Sequence, residues 1–389
     1  MRIVLASNWW PPRVGGIESQ VAELAGVLVS RGHTVRILTA TKNPVPIPGV
    51  VVDSIDWPVV NDVTAPDLRR VSAIAARLEK AQPDVVHANG MFPSLPIGAI
   101  LAASRLGIPS VSTVHSLLRP WPVFLAGCAV FRVFSHRASV LTAVSAATAS
   151  DVRRASGREA VQIPNGLHLA QWRVPRRERE TDGIRIVAVT RLVPKKSPIA
   201  LIRGLYEARR RRSDVTLTIA GDGPERAGLE REARKLGVGS YVRFLGPCSR
   251  EAVRRLLTDA SLLAHPGGLE AFGLALLEAR VAGVPVVAIA SGGVPDLVTD
   301  RVHGLLAPSS RELPLAIAEL AVNDDLRRRC AELAPSGLEA FDWSQVVGRH
   351  EAVYARAIEG GSRAPRDRRH PEIAGDDRER RQRGAALQC

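Results

Sequence analysis

The sequence predicts two α/β domains, each a doubly wound parallel sheet, facing one another across a cleft. Three observations carry this. A chain of 389 residues exceeds one ordinary hydrophobic core. Short apolar runs alternate with amphipathic ones, the spacing of strand–helix–strand units whose helices cover both faces of a parallel sheet. The alternation stops in a Pro- and charge-rich stretch, Pro164 to Gly183, and then begins again. Ligands of such sheets bind beyond the carboxyl ends of the strands, here facing the cleft.

In the first domain, residues 1–164, the strand candidates are Arg2–Ser7, Thr34–Thr39, Val85–Ala88, Val111–His115 and Val140–Val144. Glu18–Ser30 and Leu68–Ala81 read as helices between them. Residues 165–183 read as a linker. The second domain, 184–342, has strand candidates at Ile184–Val189, Val215–Ala220, Val242–Leu245, Leu262–Ala264 and Val286–Ile289. A last amphipathic helix, 343–360, follows. The tail 361–389 lacks apolar periodicity and sets eight arginines against five acidic residues, a composition expected to be disordered.

The apolar fraction of 46 % is that of a soluble globular protein. A net charge of +14 admits nucleic acid, an anionic membrane surface or a phosphorylated ligand as partner. No zinc finger, aromatic RNA-binding strand or lone basic helix is present, so nucleic acid is not expected. Cys128, Cys248, Cys330 and Cys389 are scattered, as in a reducing compartment. The start MRIVLASN is too short an apolar run for a signal peptide, and the uncharged stretch 88–104 contains Pro93 and Pro96. The expectation is a cytoplasmic protein, or one peripheral at an inner membrane face.

The densest chemistry lies in GLEAFGLALLEARVAGVPVVA, residues 268–288. The run 261–266 reads as a buried strand ending at a loop, and Leu274 to Arg280 as a helix with its start at Phe272 or Gly273, stopped by Gly283 and Pro285. Its free N–H groups favour an anion, which Phe272, Gly273 and Leu274 would meet with backbone amides. Glu270 precedes that terminus, and Glu278 inside the helix tilts back toward it. A phosphate held by amides between two carboxylates that accept sugar hydroxyls describes a nucleotide-sugar site. Arg191 and Lys196, in the loop after Ile184–Val189, can pair with two phosphates and stabilise charge as a sugar bond breaks. A solvated basic loop is the plainer alternative.

The run Pro12 to Glu18 holds Gly15 and Gly16 between the first strand and its helix, where a backbone can approach a ligand closely. An ordinary tight turn fits as well. Neither it nor Gly221-Asp222-Gly223 is a dinucleotide fingerprint. His115, where a strand meets the cleft, can bond a sugar hydroxyl or phosphate, whereas His87, His265 and His303 read as structural. Trp9 and Trp10 can stack on an acceptor ring or serve the core. With no Asp-x-Asp pair and no Cys/His cluster, neither a metal nor any other cofactor is expected.

In order and spacing the motifs PPRVGGIES, VVHANG, TVHS, AVS, IPNGL, TRLVPKK, IAGDGP, FLGP, HPGGLEAFGLALLEARVAGVPVV and SGGVPDLVTDRVHGLLAP resemble the retaining family 4 glycosyltransferases over nearly the whole chain. The resemblance implies the GT-B fold of two Rossmann-like domains. Gly16 would then place its amide near the diphosphate, and His115 would contact the donor sugar. Arg191 and Lys196 would hold the phosphates, Glu270 the sugar hydroxyls and Glu278 the ribose. The last helix would cross back to the N-terminal domain. Thr190 and Ser197 stand where the family usually has glycine, and His168 where it usually has aspartate.

The resemblance implies transfer from a nucleotide-sugar donor, UDP-linked by expectation, to an acceptor hydroxyl, with retention and without metal. A small soluble acceptor such as an aminocyclitol or antibiotic precursor is favoured slightly. An aminoglycoside acceptor would want local carboxylates, and Asp53, Asp56, Asp62 and Asp67 are the nearest acidic cluster in that domain. The alternative is a lipid-linked or phosphoinositol acceptor at an anionic membrane surface, met by the aromatic and basic residues of 116–137. An epimerase or hydrolase of sugar nucleotides, and a non-catalytic binding subunit, are the competing classes.

Overall fold

Seven parallel strands build the first sheet of the computed structural model, which describes residues 1–13, 15–57, 68–90, 95–118, 131–173 and 183–362. They are β1 (Arg2–Ser7), β2 (Thr34–Thr39), β3 (Val50–Ser54), β4 (Val85–Asn89), β5 (Ser110–Val114), β6 (Val140–Ala143) and β7 (Val161–Gln162). Their spatial order is β3-β2-β1-β4-β5-β6-β7, so strand order reverses between β1 and β4. The second sheet contains β8 (Ile184–Val189), β9 (Val215–Ala220), β10 (Val242–Gly246), β11 (Leu262–His265), β12 (Val286–Ile289) and β13 (Gly304–Ala307). It runs β10-β9-β8-β11-β12-β13 and reverses between β8 and β11. Both sheets are parallel throughout their described pairs, so the predicted α/β class with two doubly wound sheets is the observed one.

The central strands are buried on both faces, which is why they read as continuous apolar runs. Three strands escaped the sequence reading for physical reasons. β3 is a half-exposed edge, β7 has two residues, and β13 is a four-residue edge strand after a turn. Inside the stretch read as linker, Leu167, Leu169 and Trp172 are buried in the second domain's core.

The helix Trp343–Ser362 returns to the first sheet. Its Trp343, Val346, Val347, Val353, Tyr354 and Ala357 are buried with Leu5, Trp10 and Val111. Burial of that many large side chains, at about 1.5–3 kcal/mol each, fixes the helix to the sheet. Gly166 is required under it, since a Cβ there would collide with the Trp343 indole. At the start of the short helix Leu169–Trp172, Asp342 Oδ2 accepts the Leu169 amide at 3.2 Å, while the His168 side chain makes no capping bond among the described residues.

Candidate active site

The helix Leu274–Val281 covers the stretch read as helical from sequence, Leu274–Arg280, with Gly273 as its N-cap in the left-handed region (φ +101°). Glycine is favoured there because a side chain would be strained. Opposite lies the N-terminus of the helix Gly16–Ser30, capped by Gly15 in extended backbone. The two ends are close: a Cβ on Gly16 would stand 3.5 Å from Leu274 Cδ1. Two helix N-termini from different domains therefore lie side by side, an arrangement suited to anions, with the Glu18 carboxylate packed against Gly15 at the first of them.

Beside this gap Glu270 meets two partners. Lys196 Nζ donates to Glu270 Oε2 at 2.6 Å, and His265 Nε2 lies 3.1 Å from the same oxygen. The Lys196 and Glu270 side chains are 14 % and 17 % exposed, so the pair is shielded without being sealed. Burial alone would raise the Glu270 carboxyl. The His265 hydrogen bond and charge, then Lys196, outweigh it and hold the group below the usual carboxylate range. Gly267 leaves room for the cluster, since a Cβ there would lie 2.9 Å from His265 Nε2 and 3.0 Å from Lys196 Cδ. His265, read as structural from sequence, belongs to the site. Its Nδ1 is buried with no hydrogen-bond partner among the described residues.

The loop after β8 is held from below by the Gly221-Asp222-Gly223 turn. Any Cβ on Gly221 or Gly223 would strike the carbonyls of Thr190 or Leu192. Close backbone approach, rather than phosphate binding, explains those glycines. Ser197 closes the loop in the left-handed region (φ +47°), where a glycine would be unstrained. Arg191 is exposed and makes no ion pair among the described residues. Lys195, which the sequence reading passed over, is driven to lower pKa by burial and by the charges of Arg191 and Lys196. Three cations thus crowd one loop, and Lys196 is the one that pairs with Glu270.

Glu278 is buried, and burial pushes its carboxyl up to about 7 against the pull of Arg250, whose Nη2 donates to Oε1 at 3.2 Å. Phe272 is buried with its ring edge-on to Phe341, so only its backbone can face a ligand. His115 follows β5 and places Nε2 3.3 Å from Asn89 Oδ1; burial lowers it to about 4, so it is neutral near pH 7. His87 is a core residue between Tyr354 Oη and Thr113 Oγ1. His303 bonds the Thr299 amide at the surface.

The two tryptophans separate. Trp10 is fully buried, its indole N–H donates to the Val45 carbonyl at 2.8 Å, and it has no face for an acceptor ring. Trp9 lines a pocket of about 620 Å³ with Arg13, Thr41, Lys42, Asp56 and Trp57. Arg13 lies 3.7 Å over the Trp9 ring, a cation–π contact. Of the four aspartates, Asp53 pairs with Arg36 at 2.6 Å and Asp56 with Arg70 at 3.3 Å. Asp62, Asp67 and residues 119–130 of the aromatic-basic stretch lie outside the described residues, as does the tail 363–389. Among the described residues no helix is long and apolar enough to cross a membrane.

The sequence matches two family models in series, Glycosyltransferase Family 4 over residues 14–171 and Glycosyl transferases group 1 over residues 171–336. It is 30 % identical to a glycogen synthase of Mycobacterium tuberculosis over 95 % of this chain and 97 % of that one. It is 29 % identical to a D-inositol 3-phosphate glycosyltransferase of Actinosynnema mirum, over 88 % of this chain and 92 % of the relative. The crystal structure of Anabaena Alr3699/HepE in complex with UDP and glucose superposes with a TM-score of 0.74 at 21 % identity, over 91 % of this chain and 99 % of that one. With both domains matched in order and the two sheets meeting at opposed helix termini, the chain belongs to the family 4 glycosyltransferases of GT-B fold.

Proposed function

We propose that this glycosyltransferase moves a sugar from a UDP-linked donor to an acceptor hydroxyl, with retention of configuration and without a metal. The observation that carries the reading is the Lys196–Glu270–His265 cluster beside the facing termini at Gly16 and Leu274. Those amides and the cations Arg191, Lys195 and Lys196 suit a diphosphate leaving group, the charge work that a divalent ion does elsewhere. UDP is the nucleotide that the similar HepE fold holds in its crystal structure, which makes it the first donor base to test.

Glu270, held ionised, accepts donor-sugar hydroxyls. His115, neutral and backed by Asn89, bonds the sugar from the other domain. Attack comes from the face the phosphate leaves. The bond from C1 to the phosphate oxygen breaks, the bond from C1 to the acceptor oxygen forms, and the acceptor proton passes to the departing phosphate. The chain supplies orientation and charge stabilisation more than general-base chemistry.

The acceptor enters the pocket at Trp9. Arg13, Lys42 and Asp56 stand in its wall; Arg13 pairs with Glu18 at 3.4 Å and Asp56 with Arg70 at 3.3 Å, which leaves Lys42 as the wall charge that favours a polyol bearing an anionic group over an aminocyclitol. The relative named for D-inositol 3-phosphate points the same way. UDP release from UDP-glucose and UDP-N-acetylglucosamine tests the proposal, with and without inositol phosphate. Stimulation by the phosphorylated polyol, and its loss in an Arg13→Ala/Lys42→Ala double variant, are expected. Turnover only with GDP- or ADP-sugars, or stimulation by uncharged or amino-substituted cyclitols alone, would contradict it.

A further inference from the structure

Outside the cluster at Glu270, one guanidinium joins the two domains. Arg250, the first residue of the helix Arg250–Thr258 in the second domain, is an ion-pair partner of Glu23 on the helix Gly16–Ser30 of the first. Its Nη2 reaches Glu278 Oε1 at 3.2 Å, and its guanidinium carbon lies 5.3 Å from the centre of the Trp172 ring. Glu23 in turn accepts the indole N–H of Trp343 at 2.6 Å through Oε2. A chain of contacts therefore runs from Glu278, through Arg250 and Glu23, to the head of the helix that crosses back over the first sheet. Nothing in the proposed chemistry uses Arg250 or Glu23.

We infer that Arg250 is a positioning residue: it draws Glu278 toward its ionised form, aims it for the nucleotide, and ties it across the cleft to Glu23. This rests on the reading of Glu278 as the carboxylate that meets the donor ribose. A buried carboxyl is a useful acceptor of two hydroxyl protons only when ionised, and burial works against that state. Among the described residues Arg250 is the charged group that faces it. Glu23 draws on the same guanidinium from the opposite domain, so the two carboxylates compete for one charge. Removing Arg250 favours the neutral form of Glu278, and removing the charge of Glu23 favours the ionised form.

The test is calorimetric UDP affinity between pH 5.5 and 9 for the full chain and its Arg250→Ala, Arg250→Lys, Glu23→Gln and Glu278→Gln variants. Glu278→Gln supplies the background, in which only the nucleotide's own phosphate and the remaining groups titrate. Relative to it, the wild-type affinity is expected to strengthen as pH rises through the Glu278 midpoint. Arg250→Ala is expected to move that midpoint up by about one to three pH units, the effect of losing an adjacent opposite charge. Arg250→Lys should restore it in part, and Glu23→Gln should move it down. A midpoint unmoved in Arg250→Ala would overturn the positioning role, and one unmoved in Glu23→Gln would overturn the link across the cleft. Absence of UDP binding in the wild type would instead refute the nucleotide reading. Wild-type affinity in Glu278→Gln at every pH would refute the ribose contact.

Discussion

Replacing Glu270 by Gln keeps the shape of the side chain and removes its charge from a site built around that charge. Lys196, 14 % exposed, loses its counter-ion, and His265 faces an uncharged amide. One charge-assisted bond of this kind contributes about 1.5–3 kcal/mol. Partial exposure of the pair lets Lys196 recover some hydration, so a stability loss of about 1–2 kcal/mol is expected at pH 7. The pH dependence has a definite sign. The folded-state carboxyl of Glu270 lies below its unfolded value, so its contribution is complete above that unfolded value of about 4.3 and fades as pH falls below it. Urea unfolding should therefore show a constant gap between wild type and variant from pH 6 to 8, narrowing below about pH 4.3. Turnover should fall by about 10²–10³, the usual cost of one preorganised group at the reacting centre. Wild-type turnover, or a stability gap that widens in acid, would refute the reasoning.

Gly16→Ala should fold normally, because the new Cβ would meet Leu274 at an ordinary 3.5 Å, yet donor turnover should drop as the methyl blocks close approach; retained turnover would remove Gly16 from the site. Ser197→Gly should raise stability by about 1 kcal/mol by relieving its left-handed backbone, read as a higher melting temperature; a lower one would show that the serine side chain supports the loop. Burial lowers His115 to about 4 and His350 to about 3, below their unfolded values, so the unfolded chain takes up protons first as pH falls. Each should withdraw on the order of 2 kcal/mol between pH 6.5 and 5. A urea midpoint unchanged over that range would contradict the burial argument.

Much of the fold was legible because strands buried on both faces are apolar throughout, and β1, β2, β8, β9 and β12 occupy the predicted residues. The short edge strands were not, since β3 and β13 carry too little periodic signal. The site was legible where chemistry follows local order, as for Glu270 beside Gly273 and Leu274. It was illegible where partners come from far along the chain: Arg250 reaches Glu278, and Glu23 reaches Trp343, through tertiary packing. His265 illustrates the limit. A histidine ending a buried strand looks structural until the return of the chain puts Glu270 Oε2 3.1 Å from its ring. Trp9 and Trp10 show the converse, since two adjacent identical residues meet different surroundings, Trp10 the core and Trp9 the pocket, and only Trp9 can meet a ligand.

The central claim is that the gap between Gly16 and Glu270 holds a nucleotide diphosphate, and the melting temperature of the full chain against UDP, GDP and ADP tests it most directly. A ligand at a hundred times its Kd adds about 2.7 kcal/mol, enough for a shift of several degrees. The account predicts such a shift with UDP and its sugar conjugates at concentrations where GDP and ADP give little. No shift with any of the three would contradict it.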